Sequence, residues 1–259
     1  MDDNLIERCS EGYEQDDCVV FYGSLQLGRK LHGTSFVPGV YLNQRAFECT
    51  SYYPVFGDLL LHHNYMMVPY GDLIRRKEML FEYYGSKDVN LFIRPNSGMK
   101  EFTGTVLNYD SWEDGITLAG FHGLDSDLLV VVSNAKIITK EYRFVVVNNE
   151  VISGSLYRDW SGAEELEPGA TTTDFVLLNS KSVKAGCDNP DVWEFADKCA
   201  KRYSPDIVWI MDVVDGAMGP RLLEIGCFSC AGLYGNDLEK VVESVSHAAE
   251  EEWKDYFVI

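Results

Sequence analysis

From Lys140 to Arg158 the chain reads KEYRFVVVNNEVISGSLYR, two runs of β-branched and aromatic residues separated by Asn148-Asn149. That dipeptide readily makes a tight turn, so the pattern predicts a β-hairpin. Period-two alternation puts Glu141 and Arg143 on one face of the first strand and Tyr142 and Phe144 on the other, while Arg158 closes the second strand. Ahead of the hairpin, CVVFYGS is an apolar run ending in a turn, and LQLGRKLHG after it has helical spacing, which predicts an α/β opening. FVPGVYLN and YYPVFGDLLLHHNYMMVPYGDL, rich in aromatics, Pro and Gly, predict short strands and loops. GDLIRRKEMLFEYYG predicts a helix with Leu73, Met79, Leu80 and Tyr83 on one side and a stop at Gly85.

From Asn90 the texture becomes that of an antiparallel, β-rich lobe. NLFIRP and TVLNY predict strands around the glycine-bracketed loop NSGMKEFTG, and LLVVVSNAKI predicts an apolar strand running into a polar link. SGAEELEPGATTTD predicts an exposed loop or lid. NPDVWEFADKCAKRYS predicts an amphipathic helix whose acidic start and basic end match the helix dipole. DIVWIMDVVDGAMGPRLLEIGCF predicts two strands turning through Asp215-Gly216, and NDLEKVVESVSHAAEEEWKDYF a surface helix. The class is α+β: a small α/β N-terminal lobe over residues 1–85, then a larger domain over 86–259.

A hairpin with charged ends is by default a solvated sheet face, and composition narrows the other readings. Apolar residues make up 46% and aromatics 13% of the chain, a globular composition with no run near the ~18 apolar residues of a membrane helix. The start, MDDNLIERCSEGYEQDD, lacks the basic and apolar stretches of a signal peptide, so the expectation is a cytoplasmic protein with no membrane partner. The 41 acidic and 22 basic side chains give a net charge of −19, which repels long nucleic acid. A nucleotide is still compatible, because a small anion senses charges within about 8 Å in physiological salt. Seven cysteines without a secretion signal predict free thiols. Cys227-Phe-Ser-Cys230 has redox or zinc half-site spacing, but no second pair accompanies it.

Four features share the second half: Arg94 with the loop holding Lys100, the apolar strand ending at Ser133, the Glu141/Arg143/Arg158 hairpin, and the strands carrying Asp212 and Glu224. Cationic side chains neutralise phosphate oxygens, a glycine loop brings backbone N–H groups to them, and carboxylates hold the Mg²⁺ that bridges them. Together the four fit a nucleotide clamp. Taken singly, Arg94-Pro95 reads as a strand end, Lys100 as a solvated lysine, and Asp212 to Gly216 as turn chemistry. Glu224, inside Leu222-Leu223-Glu224-Ile225, reads as a buried carboxylate that needs a metal or cationic partner. His62-His63 lack a ligand partner and read as structural.

In the order FIRPNSGMKEFTG, VVVSN, KEYRFVVVNNEVISGSLYR, WIMDVVDG…LLEIGCFSCAGLY, the chain resembles the ATP-grasp superfamily over roughly residues 90–245, most closely its clade named for two conserved arginines and a lysine. The resemblance implies an ATP-grasp fold, two α+β lobes gripping ATP, after the N-terminal lobe. It also implies roles. Arg94 and Lys100 would bind ATP phosphates, Val132 and Ser133 would lie where backbone groups meet adenine, and Glu141 would take the ribose hydroxyls. Arg143 would support the hairpin or phosphate, Arg158 would face phosphate or the acyl substrate, and Lys100 and Arg158 would be the catalytic cations. Asp212 and Glu224 would hold Mg²⁺. Two departures stand out. Relatives have Glu-x-Asn on the last metal strand, where this chain has Gly226, leaving a water or Asn236 to take the third place. A substrate-facing arginine of the D-alanine ligases is Ile210 here.

The implied activity is that of an ATP-dependent carboxylate–amine ligase acting through an acyl phosphate, on small-molecule or peptide substrates. A non-catalytic nucleotide-binding protein, suggested by Gly226, is the alternative. A thiol redox protein resting on Cys227 and Cys230 comes third.

Overall fold

The computed structural model describes residues 11–14, 16–34, 36–99, 101–118, 123–159 and 186–257. In chain order these form β1 (Cys18–Val20), α1 (Leu25–Leu31), β2 (Val37–Gly39), α2 (Cys49–Phe56), β3 (Tyr65–Pro69), α3 (Tyr70–Arg75) and α4 (Lys77–Tyr84). Next come β4 (Leu91–Pro95), β5 (Thr105–Leu107), α5 (Trp112–Leu118), β6 (Leu129–Asn134), β7 (Lys140–Val147) and β8 (Glu150–Asp159). The last are α6 (Pro190–Arg202), β9 (Val208–Asp215), β10 (Arg221–Cys227) and α7 (Leu238–Phe257). Lys100 and the predicted lid SGAEELEPGATTTD lie outside the described residues. The chain divides into two compact units, Met1–Asn43 with Ile138–Ile259, and Gln44–Ile137.

In the unit Gln44–Ile137 an antiparallel sheet runs in the order β3-β6-β4-β5. One face is apolar: Leu91, Ile93, Val130 and Val132 pack on Leu73, Leu80, Phe81, Tyr84, Trp112 and Ile116. The single helix predicted over GDLIRRKEMLFEYYG is two, broken at Arg76, and Gly85 caps the second with φ 133°. The break also moves the buried face. Leu80, Phe81 and Tyr84 face the core, whereas Met79 and Tyr83 remain 38% and 60% exposed. YYPVF, the start of a stretch predicted as strands and loops, lies instead in α2, with Pro54 inside the helix. Burial of Cys49, Tyr52, Tyr53 and Phe56 outweighs the backbone hydrogen bond that proline removes.

In the other unit β1 and β2 pair in parallel, and a second antiparallel sheet runs β10-β9-β7-β8. The predicted hairpin forms around Asn148 and Asn149, both at positive φ (50° and 66°), the geometry of a two-residue turn matched to strand twist. One face of the sheet is apolar; its Phe144 meets Trp193 of α6 edge-on at 5.6 Å. The predicted helix forms with Asp191 early and Lys201 and Arg202 late, and Asn189 caps it, accepting from Asp191 N. The opposite face changes character along the strands. Val145, Val147, Val208 and Ile210 lie under Val241, Val245 and Ala248 of α7, and farther along come Arg143, Asp212 and Glu224. No helix of the described residues is long and apolar enough to cross a membrane.

Candidate active site

Strand register assembles the charged end of that face. Arg143 pairs with Asp212 across β7 and β9, Glu224 pairs with Asp212 across β10 and β9, and Glu141 pairs with Arg158 across the hairpin. Directly opposed residues share a face, so four of the residues implied by the resemblance, with Arg158 beside them, gather on one surface. That surface is not solvated. Glu141 is 4%, Arg143 8% and Asp212 1% exposed, which overturns the default reading of the hairpin.

The buried groups form one network. Arg143 donates from Nε to Asp212 Oδ1 at 2.8 Å and from Nη2 to Oδ2 at 2.7 Å, a bidentate pair, and from Nη1 to the Gly232 carbonyl at 3.0 Å. Tyr157 donates to Glu141 Oε2 at 2.7 Å, with Asp212 Oδ2 3.3 Å away, and Arg158 Nη1 reaches Glu141 Oε2 at 3.3 Å. Tyr157 and Tyr234 stack at 4.7 Å, with the Arg143 guanidinium 5.2 and 5.0 Å from their ring centres. Sequence reasoning missed both tyrosines; Tyr157 falls at a bulge in the β7–β8 register, where simple alternation fails.

Burial first, then the Asp212 and Glu141 charges, holds the Tyr157 hydroxyl well above the usual phenol range. Burial opposes the charge on Arg143, but the Asp212 carboxylate outweighs it and the guanidinium is held above its ordinary value. Arg158 goes the same way, with Glu141 outweighing burial. All three stay protonated. Ion pairs taken out of water carry a desolvation cost that packed apolar residues would not, so the four buried, interlocked side chains Glu141, Arg143, Tyr157 and Asp212 point to chemistry rather than stability.

Two expectations on this face are corrected. Glu224 is only half buried, so burial does not by itself require a metal at its carboxylate. Asn236 does not sit with Glu224: its Nδ2 donates to the Arg143 carbonyl at 3.3 Å and to Ser155 Oγ at 3.2 Å, over β7 and β8, on the other side of β9 from β10.

The remaining implied residues lie in the unit Gln44–Ile137. Arg94 is buried on the sheet face opposite the helix-packed core, the face it shares with Phe92 and Ser133. Ser133 Oγ and His62 Nδ1 are hydrogen bonded at 2.8 Å, and His62 stacks on Phe92 at 4.3 Å. Burial, helped by the Arg94 charge, pushes His62 down to about 3, so it is neutral. The adenine positions need correction as well. Val132 and Ser133 are fully buried in an interior strand, and the Val132 carbonyl already accepts from Tyr84 Oη at 2.7 Å. Just beyond, Asn134 still pairs with Leu91 and Ala135 N donates to the Asn90 carbonyl, and exposure rises to 85% only at Ile137.

The Cys227–Cys230 pair does not resemble a reactive dithiol. A hydrogen bond with Cys227, then burial, raises the Cys230 thiol, the opposite of the depression that makes a thiolate.

Over residues 76–244 the sequence matches an ATP-grasp domain family, the second family of the clade named for two arginines and a lysine. The chain belongs to that ATP-grasp family. No curated protein matches it. Solved structures similar to it share the fold. The D-cycloserine synthetase DcsG is 14% identical with a TM-score of 0.53, over 81% of this chain and 71% of that one. The D-alanine–D-alanine ligase from Bacillus anthracis complexed with ATP is 12% identical with a TM-score of 0.51, over 98% and 84%. The ATP-grasp ligase PsnB, complexed with a phosphomimetic variant of its minimal precursor, Mg and ADP, is 15% identical with a TM-score of 0.51, over 88% and 67%. In two other PsnB complexes the chain spans 60% of the ligase's length.

Proposed function

We propose that the protein is an ATP-dependent ligase that joins a carboxylate to an amine or similar nucleophile, releasing ADP and phosphate. The observation that carries the reading is the network of buried Glu141, Arg143, Tyr157 and Asp212, with exposed Arg158 at its edge, on strands whose motif order is that of the ATP-grasp family. In the reaction a carboxylate oxygen attacks the γ-phosphorus and the bond to ADP breaks. The amine then attacks the acyl carbon, phosphate leaves and the amine gives up a proton.

The chain's part is positioning and charge neutralisation. Arg94 and Lys100 bind phosphate, Glu141 accepts from the ribose hydroxyls, and Arg158 and Lys100 face the transferring phosphoryl group. The strand of Val132 and Ser133, where it runs on into the link towards Ile137, faces the base. Asp212 and Glu224 suit Mg²⁺, two hard oxygen donors directly opposed on one face. Among the described residues no third acid, His or Cys joins them, so water fills the remaining positions. When bound, Mg²⁺ neutralises phosphate charge.

The substrates are small-molecule or peptide carboxylates and amines; the similar ligase PsnB is complexed with a variant of its minimal precursor. A charge of −19 repels long nucleic acid, which is not among the proposed partners, and the proposed working compartment is the cytoplasm. The nucleotide-gripping domain is assigned to 86–259 and the preceding lobe to 1–85, with residues 44–85 packed into the same compact unit as 86–137.

A carboxylate substrate labelled with ¹⁸O tests the mechanism. The label appears in the released phosphate if the carboxylate oxygen attacks phosphorus; unlabelled phosphate refutes the acyl phosphate. The non-catalytic reading is favoured by one observation, Gly226 opposite Ile210, where relatives present a metal-binding asparagine.

A further inference from the structure

Asp212 is deeply buried and both of its oxygens are engaged by one guanidinium, with Tyr157 completing the contacts at Oδ2. Arg143 is equally tied: three nitrogens donate, two to Asp212 and one to the Gly232 carbonyl, and its guanidinium sits beside the stacked Tyr157 and Tyr234 rings, 5.2 and 5.0 Å from their centres. A guanidinium so placed supplies the charge, and takes the lone pairs, that a hard cation would seek from that carboxylate. On the other side of Asp212, in register on β10, stands Glu224.

We propose that Arg143 is an internal cation that keeps divalent metal off Asp212 until an anionic ligand draws the guanidinium away, so that metal and nucleotide bind together and metal alone does not. The inference rests on the reading of Asp212 as a metal ligand. Arginine cannot escape a nearby dication by losing its proton, so it must move or be compensated. Phosphate oxygens fit its fork as carboxylate oxygens do, and a triphosphate therefore offers Arg143 a second partner as it brings the metal. Tyr157 and Tyr234 stack on each other beside the guanidinium, so an exchange of anions at Arg143 leaves that ring stack intact.

The competing reading is a permanent brace in which Arg143 only holds Asp212 in place. The two differ in what happens to bare metal when the arginine is removed. Arg143→Gln and Arg143→Met take away the charge while keeping a stem that packs against the rings.

The probe is Mn²⁺ titrated into nucleotide-free protein, followed by electron paramagnetic resonance and by thermal unfolding. Both variants are expected to bind Mn²⁺ at least tenfold more tightly than the parent. The gain is lost in Arg143→Gln combined with Asp212→Asn. Where removal of the ion pair lowers Tm, Mn²⁺ restores it in the variants and barely shifts the parent. Equal Mn²⁺ affinity in parent and variants overturns the proposal, as does a variant that stays unfolded in Mn²⁺. Mn²⁺ with a non-hydrolysable ATP analogue separates the two failures. If its binding to the parent still depends on Asp212, only the guarding role falls; if Asp212→Asn leaves it unchanged, the metal assignment falls too.

Discussion

The Tyr157 hydroxyl and the Arg158 guanidinium both reach Glu141 Oε2 inside the protein. On the proposed reading this carboxylate also accepts from ribose. Glu141→Gln keeps the shape and removes the charge that strengthens such bonds, each of order 1.5–3 kcal/mol, so ATP affinity is expected to fall roughly tenfold or more. Calorimetric ATP titration checks it; affinity equal to the parent's returns Glu141 to a purely structural role. His62 gives a pH prediction. Its folded value of about 3 lies below the ordinary 6.5, so the unfolded chain takes up the proton first. The contribution of neutral His62 is complete above about 6.5 and is lost as pH falls towards 3. Urea unfolding should therefore show the parent losing roughly 2 kcal/mol more than His62→Gln between pH 7 and pH 4.5. Equal losses would place the titration elsewhere.

At the scale of elements, the sheet that carries the network is packed without slack on its apolar face. A Cβ at Gly154 would lie 2.4 Å from Phe144 Cε1 and 3.2 Å from Trp193, and neither ring can withdraw cheaply. Gly154→Ala is expected to cost about 1–3 kcal/mol in denaturant unfolding through overpacking. An unchanged midpoint would mean that the Phe144–Trp193 contact is looser than it stands. Gly226 is the opposite case. A Cβ there meets only Ile210, at 3.5 and 3.6 Å, an ordinary contact, so Gly226→Asn folds and either leaves Mg²⁺-dependent turnover intact or tightens its metal dependence. Turnover that appears only in Gly226→Asn would favour the non-catalytic reading of the parent.

The hairpin was legible because alternation, turn residues and register agree there. The helix over Cys49–Phe56 was not, because a proline and tightly spaced aromatics mimic loop chemistry until burial of Tyr52, Tyr53 and Phe56 decides it. The break at Arg76 was equally hidden, and it set the wrong face for α4.

For the whole molecule, the order of four motifs was legible and led to the family, since order survives where overall identity to solved structures has dropped to 12–15%. The depth of burial was not. Glu141 and Asp212 lie deeper than a charged hairpin suggests, Glu224 is shallower than its apolar neighbours suggest, and Val132 and Ser133 are interior where exposure was expected. Burial depends on what covers a strand, which alternation cannot reveal. The net charge of −19 adds a molecular consequence: a nucleotide approaches against a repulsive field, so cations held close to it must supply local attraction. The measurement that tests the ligase claim most directly is Mg²⁺-dependent ADP release from ATP, with pools of amino acids, peptides and small carboxylates and mass spectrometry of the products. The parent is expected to release ADP in at least one pool with a product lighter by one water than its two substrates, and Asp212→Asn or Glu224→Gln to release none. ADP release that is unchanged in both variants, or a parent that binds Mg-ATP yet releases none in any pool, would contradict it.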